Sequence, residues 1–272
     1  MRASVLLIPV LLAACAAPPP AAVENGRGRA VRVDGPDDLL ERAMALHAVG
    51  RHEEAADLVD ALLVAHDDYA KSESARFLGA EACYQAGEFE RAHEAFVALL
   101  ERFPTTRAHA IVPDRFYVIG EALVKAPRPQ LGGLLEDRSV GIDALSRLVV
   151  HYPEWSTADD AWLLLAAAHR AEGAWDLADE AYRRLLVRYF ESPLREEAAW
   201  GRVDVARRKW KGPAYDASPL AQEHLALVAY LNEFGVDGRF GTAAKGRLAT
   251  VAEDVARHRG EVDTYYDFRA DD

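Results

Sequence analysis

The stretch from Ala75 to Phe103 returns, displaced by 86 positions and without a gap, as the stretch from Ala161 to Tyr189. Ala80 meets Ala166, Gly87 meets Gly173, and Phe89 meets Trp175. The register continues through Ala92 and Ala178, Ala95 and Ala181, Phe96 and Tyr182, Leu99 and Leu185, Leu100 and Leu186, and Phe103 and Tyr189. A chain that repeats itself on this scale stacks one supersecondary unit, because a single copy cannot bury its own apolar face. The unit is shorter than 86 residues, since Gly50 and Gly87 lie 37 apart, as do Pro153 and Phe190.

Each unit follows one physical logic: a first helix with small residues at its crossing point, a turn at glycine, and a second helix whose alanines admit a close partner. Only 13 prolines and 18 glycines against many Ala, Leu, Glu and Arg agree with an all-α chain. About five units are legible, with first helices near 37–49, 71–86, 107–124, 157–172 and 195–210. Second helices follow near 51–66, 88–103, 140–152, 174–190 and 219–234. The third unit is stretched by an insertion near 125–138, which contains Pro127, Pro129, Gly132 and Gly133. A last helix near 242–259 is expected to cap the stack with a polar outer face.

The unit resembles a tetratricopeptide repeat. Its clearest copy carries Trp162, Leu165, Ala166, Gly173, Ala178 and Tyr182, and another first helix carries Phe116, Ile119, Gly120 and Leu123. Family repeats run to about 34 residues, so longer units here imply longer helices or loops. The resemblance implies an all-α tetratricopeptide superhelix of about five helix pairs with a C-terminal capping helix.

A narrower resemblance rests on the ends of the second helices, Leu-Leu-Glu-Arg-Phe-Pro at 99–104 and Val-Val-His-Tyr-Pro at 149–153. With the run from Tyr189 to Ala199, and with Gly212, Pro213, Ala214, Tyr215 and Asp216, the chain resembles the BamD-type lipoproteins of outer-membrane protein assembly. Phe190 departs from the proline usual there. Leu248, Ala249, Val255, Ala256, Tyr265 and Tyr266 echo the family's last helix. The resemblance implies a periplasm-facing scaffold that binds the soluble domains of a barrel component through its C-terminal repeats. It also implies that unfolded barrel substrates are received through the N-terminal ones. A pilotin-type tetratricopeptide lipoprotein for a pilus or secretin remains an alternative, as does a cell-wall-associated scaffold or the helical part of a cell-wall enzyme.

The N-terminus agrees with an envelope protein. Arg2 precedes an apolar run from Ala3 to Leu12, too short for the ~20 residues of a membrane-spanning helix. Leu12, Ala13, Ala14 and Cys15 resemble a bacterial lipoprotein signal, which implies cleavage before Cys15 and a lipidated cysteine. Residues 1–14 are then a signal peptide, and two or three acyl chains hold the mature chain on its membrane. Ala16 in place of an aspartate points to the outer membrane. Residues 15–36, with Pro18, Pro19, Pro20, Gly26, Gly28 and Gly35, read as a lipidated flexible tether reaching at most ~60 Å. Residues 37–272 form the repeat domain. With Cys15 lipidated, Cys83 cannot enter a disulfide within the chain, and its apolar helical setting reads as a buried thiol.

A net charge of −12 opposes a phosphate backbone, so nucleic acid is not an expected partner. No phosphate loop, nucleophile elbow or dinucleotide fingerprint occurs, so neither catalysis nor a cofactor is expected. Nine histidines include no His-Glu-x-x-His spacing, and no metal site is indicated. His52-Glu53 and His93-Glu94 read as solvated helix-face residues.

Candidate partner-binding residues follow from the repeat register, in which first helices line the groove. Leu40, Met44 and His47, then Phe77, Glu81 and Tyr84, either line it or pack on a neighbouring helix. Arg202, Arg207, Arg208, Lys209 and Lys211 form a cationic end of one helix, which either answers the helix dipole or meets an acidic patch on a partner. Tyr215 and Asp216 are expected to fix a turn, with Ser218 as N-cap and Pro219 at the first helical position.

Overall fold

The computed structural model describes residues 22–24, 28, 30–32, 35–130, 135–212 and 215–270. The signal peptide and Cys15 lie outside the described residues. Two compact units divide the chain, the first ending at Ala86 and the second beginning at Gly87. The sequence pattern treats 37–272 as one domain, and the division falls inside its second helix pair.

The first unit opens with strands β1 (Ala22–Glu24) and β2 (Ala30–Arg32), an antiparallel pair with Val23 opposite Val31. This part of the expected tether is therefore paired backbone. Helices α1 (Pro36–Ala48), α2 (His52–Ala65) and α3 (Ser72–Gln85) follow. Proline in the first turn of α1 costs no hydrogen bond, and Asp37 and Asp38 meet the positive end of its dipole. The helix ends at Gly50, whose φ of 81° is open to glycine and strained for other residues. There the N–H groups of Gly50 and Arg51 donate to the carbonyls of His47 and Leu46, closing the helix end. Leu39, Leu40, Ala43, Leu58, Val59, Leu62 and Ala75 form the core.

The second unit contains α4 (Phe89–Arg102), α5 (Val112–Lys125), strands β3 (Arg128–Gln130) and β4 (Leu135–Asp137), then α6 (Ser139–His151). Helices α7 (Ala158–Ala171), α8 (Trp175–Arg188), α9 (Arg195–Lys209), α10 (Ser218–Phe234) and α11 (Gly241–Ala270) complete it. From α5 onward, each helix packs on the next in chain order. This is the helix-pair stacking of a tetratricopeptide array.

Gly173 has a φ of 72° and repeats the Gly50 arrangement, with its own N–H and that of Ala174 bonded to Arg170 and His169 carbonyls. Several of the residues matched across 86 positions share burial. Phe96 and Tyr182, Leu99 and Leu185, and Ala92 and Ala178 are all buried, at 3% exposure or less. Where α5 crosses α6 both helices use glycine: a Cβ on Gly120 would lie 2.5 Å from Leu145 Cγ, and one on Gly141 3.0 Å from Leu123 Cβ.

Two boundaries and the insertion differ from expectation. The first helix of the third pair starts at Val112, not near 107, because Pro113 is tolerated only in a first turn. Arg107–Ala110 forms a 3-10 turn instead, with the Thr106 hydroxyl accepting the Ala108 N–H. The insertion carries the β3–β4 pair, with Pro129 opposite Glu136, so the described chain is not purely helical. The last helix runs to Ala270, past the expected 259, because Gly260 costs a helix about 1 kcal/mol without ending it.

Candidate partner-binding faces

In the first unit α1 touches α3. Leu40, spaced to share a face with Met44 and His47, is 6% exposed and belongs to the core, so it lines no open face. The buried stripe of α1 runs through Leu39, Leu40 and Ala43, and Leu40 falls within that arc. Met44 is 55% exposed. His47 is half-buried, with Nδ1 3.1 Å from Nδ1 of His52 across the Gly50 turn, so one ring donates to the other. Burial, and then His52, push the His47 imidazole below its ordinary value, while Glu81 opposes them. His47 and Glu81, from different helices, are thus brought within electrostatic reach. Phe77, Glu81 and Tyr84 lie half-buried at helical spacing on α3.

A contact that periodicity does not reveal ties the start of α1 to the connection between α2 and α3. Asp37 Oδ1 accepts from Tyr69 Oη at 2.5 Å and from Lys71 Nζ at 2.8 Å, which lowers the Asp37 carboxyl below its usual range. Cys83 is 4% exposed.

In the second unit the cationic end of α9 is internally paired. Arg202 Nε donates to Asp179 at 2.8 Å, and Lys209 Nζ donates to Asp176 at 2.7 Å and to Gln222 at 3.3 Å. Arg170, Arg207 and Arg208 all donate to Asp204, at 2.8, 2.9 and 3.0 Å. Arg202, Arg207, Arg208 and Lys209 of the expected cationic end thus join Arg170 in a lattice of five cations on three aspartates, because helix spacing and the packing of α8 on α9 deliver carboxylates to it. Asp204 is not among the expected site residues, although its i+3 and i+4 spacing to Arg207 and Arg208 is visible in the sequence. Its bond to Arg170 exists only in the fold.

Beside this lattice a groove of about 280 Å³ runs between α8, α9 and α10. Val205, Ala206, Ala226 and Ala229 line it together with Leu225, which is 68% exposed. Arg202 and Lys209 stand at the edge of the groove with Asp179 and Gln222, with which they are hydrogen-bonded.

Tyr215 is 59% exposed, and its neighbour Asp216 holds the turn. The Asp216 carboxylate accepts the backbone N–H of Ser218 at 2.9 Å and its hydroxyl at 2.8 Å, which lowers the Asp216 carboxyl. Ser218 is therefore the first helical residue and not the cap, and Pro219 takes the second position. The carboxylate is the better acceptor for an exposed N–H.

The histidines also depart from the solvated reading. His93 is 6% exposed, with Nε2 2.7 Å from Asp143 Oδ2 and its ring 5.5 Å from that of Phe116. Burial lowers its imidazole against the opposing bond to Asp143. Among the described residues no three His, Cys, Asp or Glu side chains are placed to hold a metal ion. No described helix is long and apolar enough to cross a membrane.

No family model matches the chain, and no curated protein matches it. Among solved structures it is similar to a thermophilic TPR protein of Thermus thermophilus, at 15% identity, covering 80% of this chain and 99% of that one, with a TM-score of 0.34. It is similar to PilW, a type IV pilus biogenesis factor, at 15% identity over 87% of this chain and 96% of that one, with a TM-score of 0.37. A tetratricopeptide repeat protein from Parabacteroides merdae matches at 11% identity over 85% and 78% of the two chains, with a TM-score of 0.38. Overlaps this loose carry no functional assignment.

Proposed function

We propose that this protein is a lipid-anchored scaffold of the outer-membrane barrel-assembly machinery, held on the periplasmic face through Cys15. Its work is binding, not catalysis: the C-terminal repeats hold the soluble domains of a barrel component and the N-terminal ones receive unfolded barrel substrates. The observation that carries the reading is the placement of the BamD-like segments within a helix-pair array. The run from Tyr189 to Ala199 covers the α8–α9 connection and the first residues of α9, and Tyr215 and Asp216 lie between α9 and α10, with Asp216 holding the next helix start. Met44, more than half exposed on α1, and the half-buried Phe77 and Tyr84 on α3 of the same unit support an adaptable apolar face for varied substrates.

The test is mild crosslinking in cells, detergent solubilisation of the envelope, capture through a C-terminal tag, and mass spectrometry. Reproducible recovery of a barrel protein with periplasmic repeat domains, absent from a tagged unrelated lipoprotein, is the expected result. Recovery of a secretin or pilus subunit instead assigns the protein as a pilotin, and cell-wall enzymes alone leave only the scaffold. Labelled palmitate incorporated by the native chain and lost in Cys15→Ser tests the anchor.

A further inference from the structure

Phe190 stands where the BamD-like pattern has proline, and it is 73% exposed, the most exposed large apolar side chain among the described residues. It lines a pocket of about 390 Å³ between the α6–α7 and α8–α9 turns, together with Trp155 and Tyr189. Both of those aromatics are held in place. Trp155 Nε1 donates to Asp114 Oδ1 at 2.7 Å, and Tyr189 Oη donates to the Pro153 carbonyl at 2.8 Å. Their polar atoms are thereby occupied, and their ring faces are what they offer a ligand.

The charge around these rings is negative. Asp159 and Glu191 line the pocket, and its cation, Arg188, is paired with Glu154. Fixed aromatic rings beside carboxylates attract a cation through the ring quadrupoles and by direct Coulomb attraction. An apolar partner side chain would bring no counter-charge to Asp159 and Glu191, and an acidic one would be repelled by them.

We propose that this pocket binds an arginine or lysine side chain presented by an extended segment of a partner protein. The inference rests on the reading of the chain as a protein-binding scaffold, and it names the chemistry that one of its sites selects. The Phe190 ring supplies an aromatic surface that the usual proline lacks, so the preference belongs to this chain.

The experiment uses three short flexible peptides that are identical except for a central arginine, lysine or citrulline, the last being a neutral isostere of arginine. Each is titrated into the isotopically labelled protein while the indole N–H resonances are followed. The Trp155 resonance is expected to shift saturably with the arginine and lysine peptides and about ten-fold more weakly with citrulline, the binding weakening as salt is raised. Phe190→Ser and Glu191→Gln each weaken binding without moving the melting curve, since both residues are exposed. No saturable shift, an equal response to citrulline, or a response only to phosphatidylethanolamine vesicles overturns the proposal. Phe190→Ser that captures the same partners from crosslinked cells as the native chain removes the pocket from partner binding and leaves the scaffold reading standing. Failure of native capture with intact peptide binding strikes the scaffold assignment instead.

Discussion

Tyr182 of α8 lies across Gly201 of α9 so closely that a Cβ at position 201 would sit 2.3 Å from the ring's Cζ. The ring cannot swing aside freely, because it is 3% exposed and its hydroxyl accepts from Arg170 Nη1 at 3.1 Å. Gly201→Ala is therefore expected to destabilise the second unit by about 1–3 kcal/mol through overpacking. Gly246→Ala, on an open side of α11 with nothing within 4 Å of the new methyl, is expected to stabilise by roughly 0.5–1 kcal/mol. Urea denaturation of both variants checks the pair, and a neutral Gly201→Ala would show that the crossing relaxes.

Glu223 of α10 is fully buried and accepts from Arg247 of α11 at 2.6 and 2.9 Å, while Arg247 also pairs with Asp254 at 3.2 Å. Arg247→Met strands the buried carboxylate and is expected to cost roughly 3–5 kcal/mol, with α11 losing hydrogen-exchange protection first. The double variant Glu223→Leu with Arg247→Met is expected to recover most of that loss, since an apolar pair replaces an ion pair at little net cost. A double variant as weak as the single one would place the damage in packing or in Asp254, which loses Arg247 in both, and not in Glu223.

Burial lowers the imidazoles of His47, His93 and His169 below their ordinary value of 6.5. The unfolded chain then takes up protons before the folded chain does as the pH falls through 6.5, so stability declines from there toward the folded values. Melting at about pH 5.5 is expected below that at about pH 7.5. His93→Gln is expected to flatten the dependence in part, and an unchanged slope would remove this histidine from it.

Asp204 is 13% exposed and shared by three arginines, so reversing two of them acts on the fold as well as on any partner. Arg207→Glu with Arg208→Glu is expected to lower the melting temperature by leaving carboxylates crowded together, a cost of about 1 kcal/mol or more. Lys211→Glu, at an exposed position after the helix, is expected to leave the melt unchanged while altering capture if charge alone matters. Equal melts for both variants would show that the lattice around Asp204 is not stabilising.

The site was less legible in the sequence than the fold. Met44 is exposed on α1, and of the two residues expected to fix the turn before α10 it is Asp216 that accepts its bonds, while Tyr215 is exposed. Leu40 is not, because the seven-residue spacing that groups it with Met44 and His47 also spans the edge of the buried stripe. His93-Glu94 looks like two solvated neighbours, yet His93 meets Asp143, fifty positions away, when α4 packs on α6. The pocket at Phe190 needs two turns that no local pattern links.

Local order and the repeat were determined by the sequence itself: nine of the described helices begin and end within about two residues of where periodicity, glycine turns and helix formers place them. Those signals are local, since a helix face and a left-handed glycine turn need only neighbours within about five positions. Tertiary structure alone decided which charges survive as surface charge. Arg170 reaches Asp204 across 34 positions, Lys209 reaches Asp176 across 33, and Arg247 reaches Glu223 across 24. Whether a cation faces a partner or a carboxylate of its own chain depends on which helices are stacked side by side, and stacking is a property of the packed units.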